Sequence, residues 1–336
     1  MKKIIAVTMV KNESDIIESF CRHTLTFCDE IIICEDNSTD NTLEIIQNLI
    51  NEGLCIHIAR HNYMHGYNQQ KVMNGLTRIA IDDYGADFVL SLDADEFLMP
   101  YGARVGQNIN IRNILESLTD DDENSYAARW IHFMPTVFKR ENNVFLPRYF
   151  ESHLNYLGTA NKDKVMFSAA VFKKNEAILA SGNHMLYNGK TEEEINKIHV
   201  PRLMLAHFSI RSVSQLIVKS VMFSTRALCI PSNKRILSNT AIRYHYIYEK
   251  LKSGEWINEK DVQTFFMYAF ERYVLDDNHK MRLINYKWDL SYELKYTDYE
   301  KSEKYYLGFI LSHYENIING FMAEKYPEVS QKPLMV

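Results

Sequence analysis

Short apolar runs alternate with amphipathic helical spacings through the first hundred residues, and this alternation constrains the fold more than anything else in the chain. Ile4 to Met9, Glu30 to Cys34, Leu54 to Ala59 and Phe88 to Leu92 read as strands; Ile16 to Phe27, Thr42 to Ile50 and Gln69 to Tyr84 carry helical periodicity. Repeated strand–helix units predict an α/β fold with a mostly parallel sheet and helices on both faces. Such a sheet binds its ligands beyond the carboxyl ends of its strands.

Polar residues follow all four strands: Thr8 to Glu13, Glu35-Asp36-Asn37-Ser38, Arg60-His61-Asn62 and Asp93-Ala94-Asp95-Glu96. The last group is the most informative. In extended chain, residues two apart project to one side, so Asp93 and Asp95 converge while Ala94 turns away, with Glu96 in reserve. Two or three hard oxygens with coordination positions left open suit Mg2+ or Mn2+ carrying a diphosphate, rather than a closed calcium cage. Acidic residues after a strand also build plain turns and caps. Ser38, Thr39 and Asp40 are read that way, which leaves Asp36 at its strand end to accept from a ribose hydroxyl or a base N–H.

With 336 residues the chain can bury one large core, or one core plus a smaller helical appendage. A net charge of −5 argues against a general nucleic-acid partner. Five cysteines without a C-x-x-C pair suggest neither a disulfide framework nor a zinc site, and fit a cytoplasmic location with reduced thiols. No run approaches the roughly eighteen apolar residues of a membrane span, and Met1 to Val7 reads as a first strand, not a signal peptide. A dinucleotide G-x-G-x-x-G after the first strand is missing, and six residues, not four, separate Gly182 from Gly189 ahead of Lys190-Thr191, so the P-loop pattern fails.

After Pro100 the alternation fades. A helix is expected over Ile109 to Leu118, a strand over Tyr126 to Phe133, a hairpin from Lys164 to Phe172 and Ala177 to Met185, and a last strand at Leu203 to Phe208. The pattern turns helical from Ser212, giving an expected division into a first domain at 1–210 and a helical region at 211–336. Lys219, Arg226, Lys234, Arg235 and Arg243 interleave there with Phe223, Tyr244, Tyr246 and Tyr248. That mixture suits stacking on sugars or peripheral contact with the inner face of a membrane, and equally a solvated helical face with tyrosines packed beneath it.

Three segments carry a family resemblance: Val10-Lys11-Asn12-Glu13, then Glu35 to Thr42 through Asp36-Asn37-Ser38, then Leu92-Asp93-Ala94-Asp95-Glu96-Phe97. In order and spacing this resembles the family 2 glycosyltransferases and their family 92-like relatives. Looser likeness extends through Lys164, Gly182-Asn183-His184 and His207 to Lys219.

The resemblance implies a GT-A, Rossmann-like fold. It also implies metal-dependent transfer of a sugar, with inversion, from a nucleoside diphosphate donor to a saccharide or lipid-linked saccharide acceptor, as in surface polysaccharide or lipopolysaccharide assembly. By the same pattern Asn12 and Glu13 belong to the donor site, Asp36 contacts the nucleoside, and Gln70 and Lys71 lie beside the base or diphosphate. Asp93 and Asp95 form the metal and ribose site, Asp95 with a catalytic role, and His184 returns to the metal. Lys164 and Arg211 are candidates to neutralise the departing diphosphate.

Inversion needs a base opposite the diphosphate. Asp120-Asp121-Asp122-Glu123 reads as a solvated loop, and no clear E-D or D-D motif stands where the family's base usually lies, so Glu151 is assigned, with His153 and Asp163 as alternatives. His207, like His184, follows an apolar run and is a second candidate for metal or phosphate. Two rivals stand beside this reading. A sugar-nucleotide nucleotidyltransferase would carry a glycine-rich basic loop after its first strand, and Thr8 to Glu13 has no glycine. A non-catalytic glycan-binding scaffold would lose nothing on replacement of Asp95.

Overall fold

A computed structural model describes residues 1–59, 69–101, 110–120, 122–135, 139–154, 163–228, 239–274, 283–286, 288, 291–306 and 308–312. Contact density divides the chain into two units, Met1–Ser209 with Arg272–Asp298, and Ile210–Glu271 with Tyr299–Val336. The expected boundary near residue 210 made no provision for the return of 272–298 to the first unit.

The first unit opens with β1 (Ile4–Val10), α1 (Ile17–Thr24), β2 (Glu30–Glu35), α2 (Thr42–Asn51), β3 (Ile56–Ala59), α3 (Gln69–Asp82) and β4 (Phe88–Ser91). β1 pairs in parallel with β2 and β4, and β2 with β3, so the order is β3-β2-β1-β4. Ile4 to Val7 and Phe88 to Leu90 are fully buried, as strands covered on both faces require. α1 and α2 lie on crossovers that run one way across the sheet, from β1 to β3, whereas α3 lies on the crossover that runs back to β4. Right-handed crossovers therefore put α3 on the opposite face. There Val72, Met73, Leu76 and Ala80 pack with Ile5, Val7, Ile32 and Val89. The direction of winding reverses between β1 and β4, and at such a switch point a crevice opens beyond the strand ends. This is the α/β arrangement expected of the sequence; Arg60, His61 and Asn62, the third strand end, lie outside the described residues.

Beyond β4 the pairing becomes largely antiparallel. The chain continues through β5 (Glu96–Pro100), α4 (Ile111–Ser117), β6 (Asn124–Met134), β7 (Ser152–Leu154), β8 (Asp163–Ser168), α5 (Ala169–Lys174), β9 (Ile178–Leu179), β10 (Leu186–Tyr187) and β11 (Asn196–His207). β8 lies between β4 and β6, and β11 pairs in parallel with β6 and antiparallel with β5. The expected hairpin is corrected here. The Ser168 hydroxyl accepts from the Val171 N–H at 3.1 Å and caps α5, so the apolar run from Lys164 to Phe172 is half strand and half helix. Among the described residues β9 pairs only with β10, in a small sheet of its own. β11 is longer than expected and not the last strand. Its register on β6 shifts between His199 and Met204, the stretch containing Pro201, which has no N–H to give the ladder.

β12 (Leu283–Asn285) pairs with β7 and brings the returning segment onto the first unit. Glu18, in the first turn of α1 and fully buried, anchors the end of that segment. Its Oε1 accepts from the Lys295 N–H at 2.7 Å and from Arg22 Nε at 3.0 Å. Its Oε2 accepts from the N–H groups of Tyr296 (2.9 Å) and Thr297 (2.8 Å) and from the Thr297 hydroxyl (2.9 Å). A buried carboxylate is tolerated because every donor it needs is present. Nearby, His23 is enclosed by Phe27, Phe97, Phe145, Trp288 and Tyr292, with its Nε2 2.7 Å from the Leu98 carbonyl oxygen. Burial pulls its pKa down to about 4, against the opposing pull of that carbonyl, so the ring is neutral.

The second unit holds α6 (Val213–Leu228), α7 (Asn239–Lys252) and most of α8 (Glu259–Val274). Phe223 stacks on Tyr244 at 4.7 Å, and Tyr244 meets Phe265 at 4.9 Å. Lys250 pairs with Asp261 at 2.6 Å. Lys234 and Arg235 lie outside the described residues, as do the side chains of Arg226 and Arg243. Among the described residues no helix is long and apolar enough to cross a membrane.

Candidate active site

The loops after β1 and β2 are tied to each other before any ligand is considered. Asn12 and Asn37 both take left-handed backbone conformations, with φ of 54° and 49°, which asparagine tolerates better than most residues. The Asn12 N–H donates to the Ser38 hydroxyl (2.9 Å) while its side-chain oxygen accepts from the Thr39 N–H (2.8 Å). The N–H groups of Glu13 and Ser14 donate to Thr42 Oγ1 (2.9 Å) and Asp40 Oδ2 (3.1 Å). Ser38, Thr39 and Asp40 thus serve turn and cap chemistry, and Asn12 spends its side-chain oxygen there. Asp36 stays at the end of β2, nearly buried, with Lys11 Nζ 2.8 Å from its carbonyl oxygen and 3.6 Å from its carboxylate.

Asp93, Ala94 and Asp95 occupy the turn from β4 into β5, beside the end of β1. The Glu96 carboxylate reaches back to accept from the Asp93 N–H at 2.9 Å, which closes this turn. Lys164 enters from β8, fully buried, and its Nζ lies 2.6 Å from Asp93 Oδ2 and 3.3 Å from Glu96 Oε1. Burial opposes the charge on Lys164, but the fields of Asp93 and Glu96 outweigh it and raise the pKa, so the ammonium persists. Burial pushes the Glu96 carboxyl well above the usual range, partly offset by Lys164.

Three strands then line up at one level. His207, at the end of β11, is the register partner of Glu96 on β5 and of His132 on β6. His207 Nε2 lies 3.6 Å from Asp95 Oδ2, and its Nδ1 lies 3.1 Å from His132 Nδ1. Trp130, two residues before His132, covers the His207 ring at 4.3 Å between centroids. Lys164 pairs with Ala128 on the same strand, which puts it on the same face by the two-residue period.

Ligand atoms of Asp95, Glu96 and His207 lie within 4.8 Å of one another, a grouping able to hold a metal ion. Glu96 Oε1 is buried with no hydrogen bond among the described residues, and Lys164 Nζ at 3.3 Å is its counter-charge. Carboxylate oxygens with one imidazole suit Mn2+ or Mg2+, and the residues fit such an ion. Asp93 is instead the partner of Lys164.

The other expected residues divide between the edge of this group and places remote from it. Asn183 donates from Nδ2 to Asp93 Oδ1 at 3.4 Å, while His184 turns its Nδ1 to the Asp163 carbonyl oxygen at 2.6 Å and its ring against Trp130 at 5.0 Å. The segment is held to α3 by paired bonds between Asn74 and Leu179, both 2.9 Å, and by Gln69 Oε1 accepting from the Gly182 N–H at 3.3 Å. Gln70 and Lys71 sit in the first turn of that helix. Glu151 is exposed just before β7; of the alternatives, His153 is buried against Phe133 and Asp163 faces Lys197 and His199 at 3.4 and 3.7 Å. Arg211 belongs to the second unit, fully buried, donating from Nη2 to the Tyr306 hydroxyl at 3.2 Å.

Comparison with known proteins places the chain in a family. A curated relative from Rickettsia bellii (strain RML369-C), described as an uncharacterized glycosyltransferase, is 23% identical over 227 residues, 66% of this chain and 65% of its own length. This chain therefore spans just under two thirds of that relative. Among solved structures, the mannosyltransferase PcManGT from Pyrobaculum calidifontis in complex with GDP-Man and Mn2+ superposes with a TM-score of 0.40 at 11% identity, over 81% of this chain and 74% of that one. S. aureus TarS in complex with UDP gives a TM-score of 0.36 at 10% identity, over 89% and 100%. The family model described as "Glycosyl transferase family 2" matches residues 6–176, just over half of the chain, from within β1 to the end of α5. The motif likeness to family 92 forms no part of that match, and the chain belongs to glycosyl transferase family 2.

Proposed function

We propose that the protein transfers a sugar from a nucleoside diphosphate donor to a saccharide acceptor, with the diphosphate bound in the crevice between the ends of β1 and β4. The observation that carries this reading is the group formed by Asp93, Asp95, Glu96, His207 and Lys164, at the point where the winding of the sheet reverses. Asp95 and His207 would hold Mn2+ or Mg2+, with Glu96 behind them; such a cation, when bound, acts as a Lewis acid on the departing diphosphate. Lys164 adds a fixed positive charge that the leaving group meets without reorganisation. Asp36 accepts from the nucleoside, and Gln70 and Lys71 lie toward the base or diphosphate.

For inversion, Glu151 takes the proton of the acceptor hydroxyl. Glu151 is exposed and stands directly ahead of β7, the strand paired to β6. The acceptor is proposed to be a saccharide or lipid-linked saccharide of a surface glycan, reached from the inner face of a membrane; the support is the family's chemistry and the basic, tyrosine-rich composition of the second unit.

Thermal melting of the wild type and Asp95→Asn with UDP, GDP, CMP and TDP, each with and without Mn2+, tests the donor site. One diphosphate should raise the melting temperature only with Mn2+ and only in the wild type; saturation at a hundred times Kd corresponds to about 2.7 kcal/mol. Equal shifts in both proteins would exclude Asp95 from the cation site, and no shift with any nucleotide would remove the donor site altogether.

A further inference from the structure

Two imidazole nitrogens facing each other at 3.1 Å carry one proton between them. His207 Nδ1 and His132 Nδ1 stand in this relation, so one ring donates there and the other presents a lone pair. Which ring donates decides what His207 Nε2 offers to Asp95, 3.6 Å away. With the proton on His207 Nδ1, Nε2 is a lone pair and can ligate a cation; with the proton on His132, a neutral His207 carries its hydrogen on Nε2 and cannot.

We propose that His132 is a positioning residue that selects the ligating tautomer of His207, by accepting its Nδ1 hydrogen when the cation is bound. The inference rests on the proposed cation site of Asp95 and His207 and adds to it a residue that touches neither cation nor donor. Metal-bound histidines hold their second N–H on a fixed acceptor, usually a carboxylate, a carbonyl or water. Here the acceptor is a second imidazole.

The backbone enforces the pairing. His132 and His207 are direct register partners on the parallel strands β6 and β11, so their nitrogens meet without help from a loop. His132 is only 6% exposed, which keeps water from competing freely for the shared bond. Trp130 packs on both rings, tilted 33° to His207 and nearly perpendicular to His132, and limits rotation of either. None of the motifs that mark the family's donor site includes His132.

The test compares Mn2+ binding, by electron paramagnetic resonance of the full-length protein without donor, in the wild type, His132→Phe, His132→Asn and Asp95→Asn. Phenylalanine keeps the ring volume and removes the acceptor, and should weaken Mn2+ about 10–100-fold. Asparagine places an oxygen where Nδ1 was, and should bind within about threefold of wild type, since either acceptor holds the same hydrogen. In 15N-histidine spectra of the Mg2+-loaded wild type, His207 should carry its hydrogen on Nδ1. Wild-type affinity in His132→Phe, equal weakening by phenylalanine and asparagine, or an Nε2 hydrogen on His207 in the loaded protein would each overturn the inference and leave the cation reading standing. No Mn2+ uptake by the wild type would overturn both. Should His132→Phe not fold, the asparagine variant and the wild-type spectra decide.

Discussion

Lys164 Nζ stands 2.6 Å from Asp93 Oδ2 and 3.3 Å from Glu96 Oε1, so a buried ammonium neutralises two of the three acids at the exit of β4. Asp93 is thereby paired with the protein's own ammonium although it is half-buried, and Asp95 is the acid whose oxygen faces His207 across 3.6 Å. The two carboxylates of the D-x-D pair thus face different partners, the Lys164 ammonium and the His207 imidazole.

Replacing Lys164 by methionine leaves Glu96 buried without its counter-ion. Loss of one partner of a buried pair costs about 3–5 kcal/mol. Burial already raises the Glu96 pKa above the ordinary carboxylate value, so the folded state holds its proton more tightly than the unfolded state does. A group of that kind stabilises the fold fully below its unfolded pKa and loses the contribution as pH rises through its folded pKa. Urea unfolding of Lys164→Met should therefore show a deficit against wild type that grows from acidic toward neutral pH. The variant should also take up Mn2+ more tightly, on the order of tenfold or more, because a repelling charge is gone and Asp93 is released.

Gly182 is confined by its own neighbour. Its φ is 80°, and a Cβ there would lie 2.8 Å from His184 Cδ2. Gly182→Ala should cost about 1–2 kcal/mol for the left-handed backbone alone, and should pull Asn183 from Asp93. A lower melting temperature together with weaker nucleotide binding is expected; unchanged binding would show that Asn183 is not needed at the site.

His23 makes stability depend on pH in the opposite sense. Its folded pKa of about 4 lies below the ordinary value of 6.5, so between those values the unfolded state binds the proton and the folded state does not. Stability is intact above about pH 6.5 and falls as pH drops toward 4, by up to about 3 kcal/mol. In His23→Phe that slope should flatten, as read from urea midpoints between pH 7 and 4.5.

Glu18 is tested by two replacements. Glu18→Ala removes the acceptor of three backbone N–H groups and should cost about 3–5 kcal/mol. Glu18→Gln turns an amide NH2 toward some of those same donors and should recover only part of the loss. Melting temperatures of the two variants, with hydrogen exchange at Lys295, Tyr296 and Thr297, measure this directly.

The sheet's first half was legible because its signals are local. Short apolar runs, a period of 3.6 and turn residues between them placed β1 to β4 within a residue or two of the observed bounds, and with them the exits carrying Asp36, Asp93 and Asp95. The Ser168 cap defeated the expected hairpin, since an apolar run of nine residues reads equally as strand or buried helix. The row of Glu96, His132 and His207 rests on pairings between strands more than thirty residues apart, displaced in register around Pro201. No local pattern encodes such a row. Gly182 had a similar effect: its left-handed turn delivers Asn183 to Asp93, where the sequence pointed to His184.

The bond between α1 and Thr297 has a consequence for biogenesis. The ribosome makes Glu18 nearly 280 residues before the amides that satisfy it, and a closure of that span is slow. Until then the nascent chain must keep the carboxylate hydrated or leave α1 undocked, which exposes its apolar stripe to chaperones and proteases. Cutting the gene at the end of β11 should for the same reason give a fragment that aggregates, however complete its sheet.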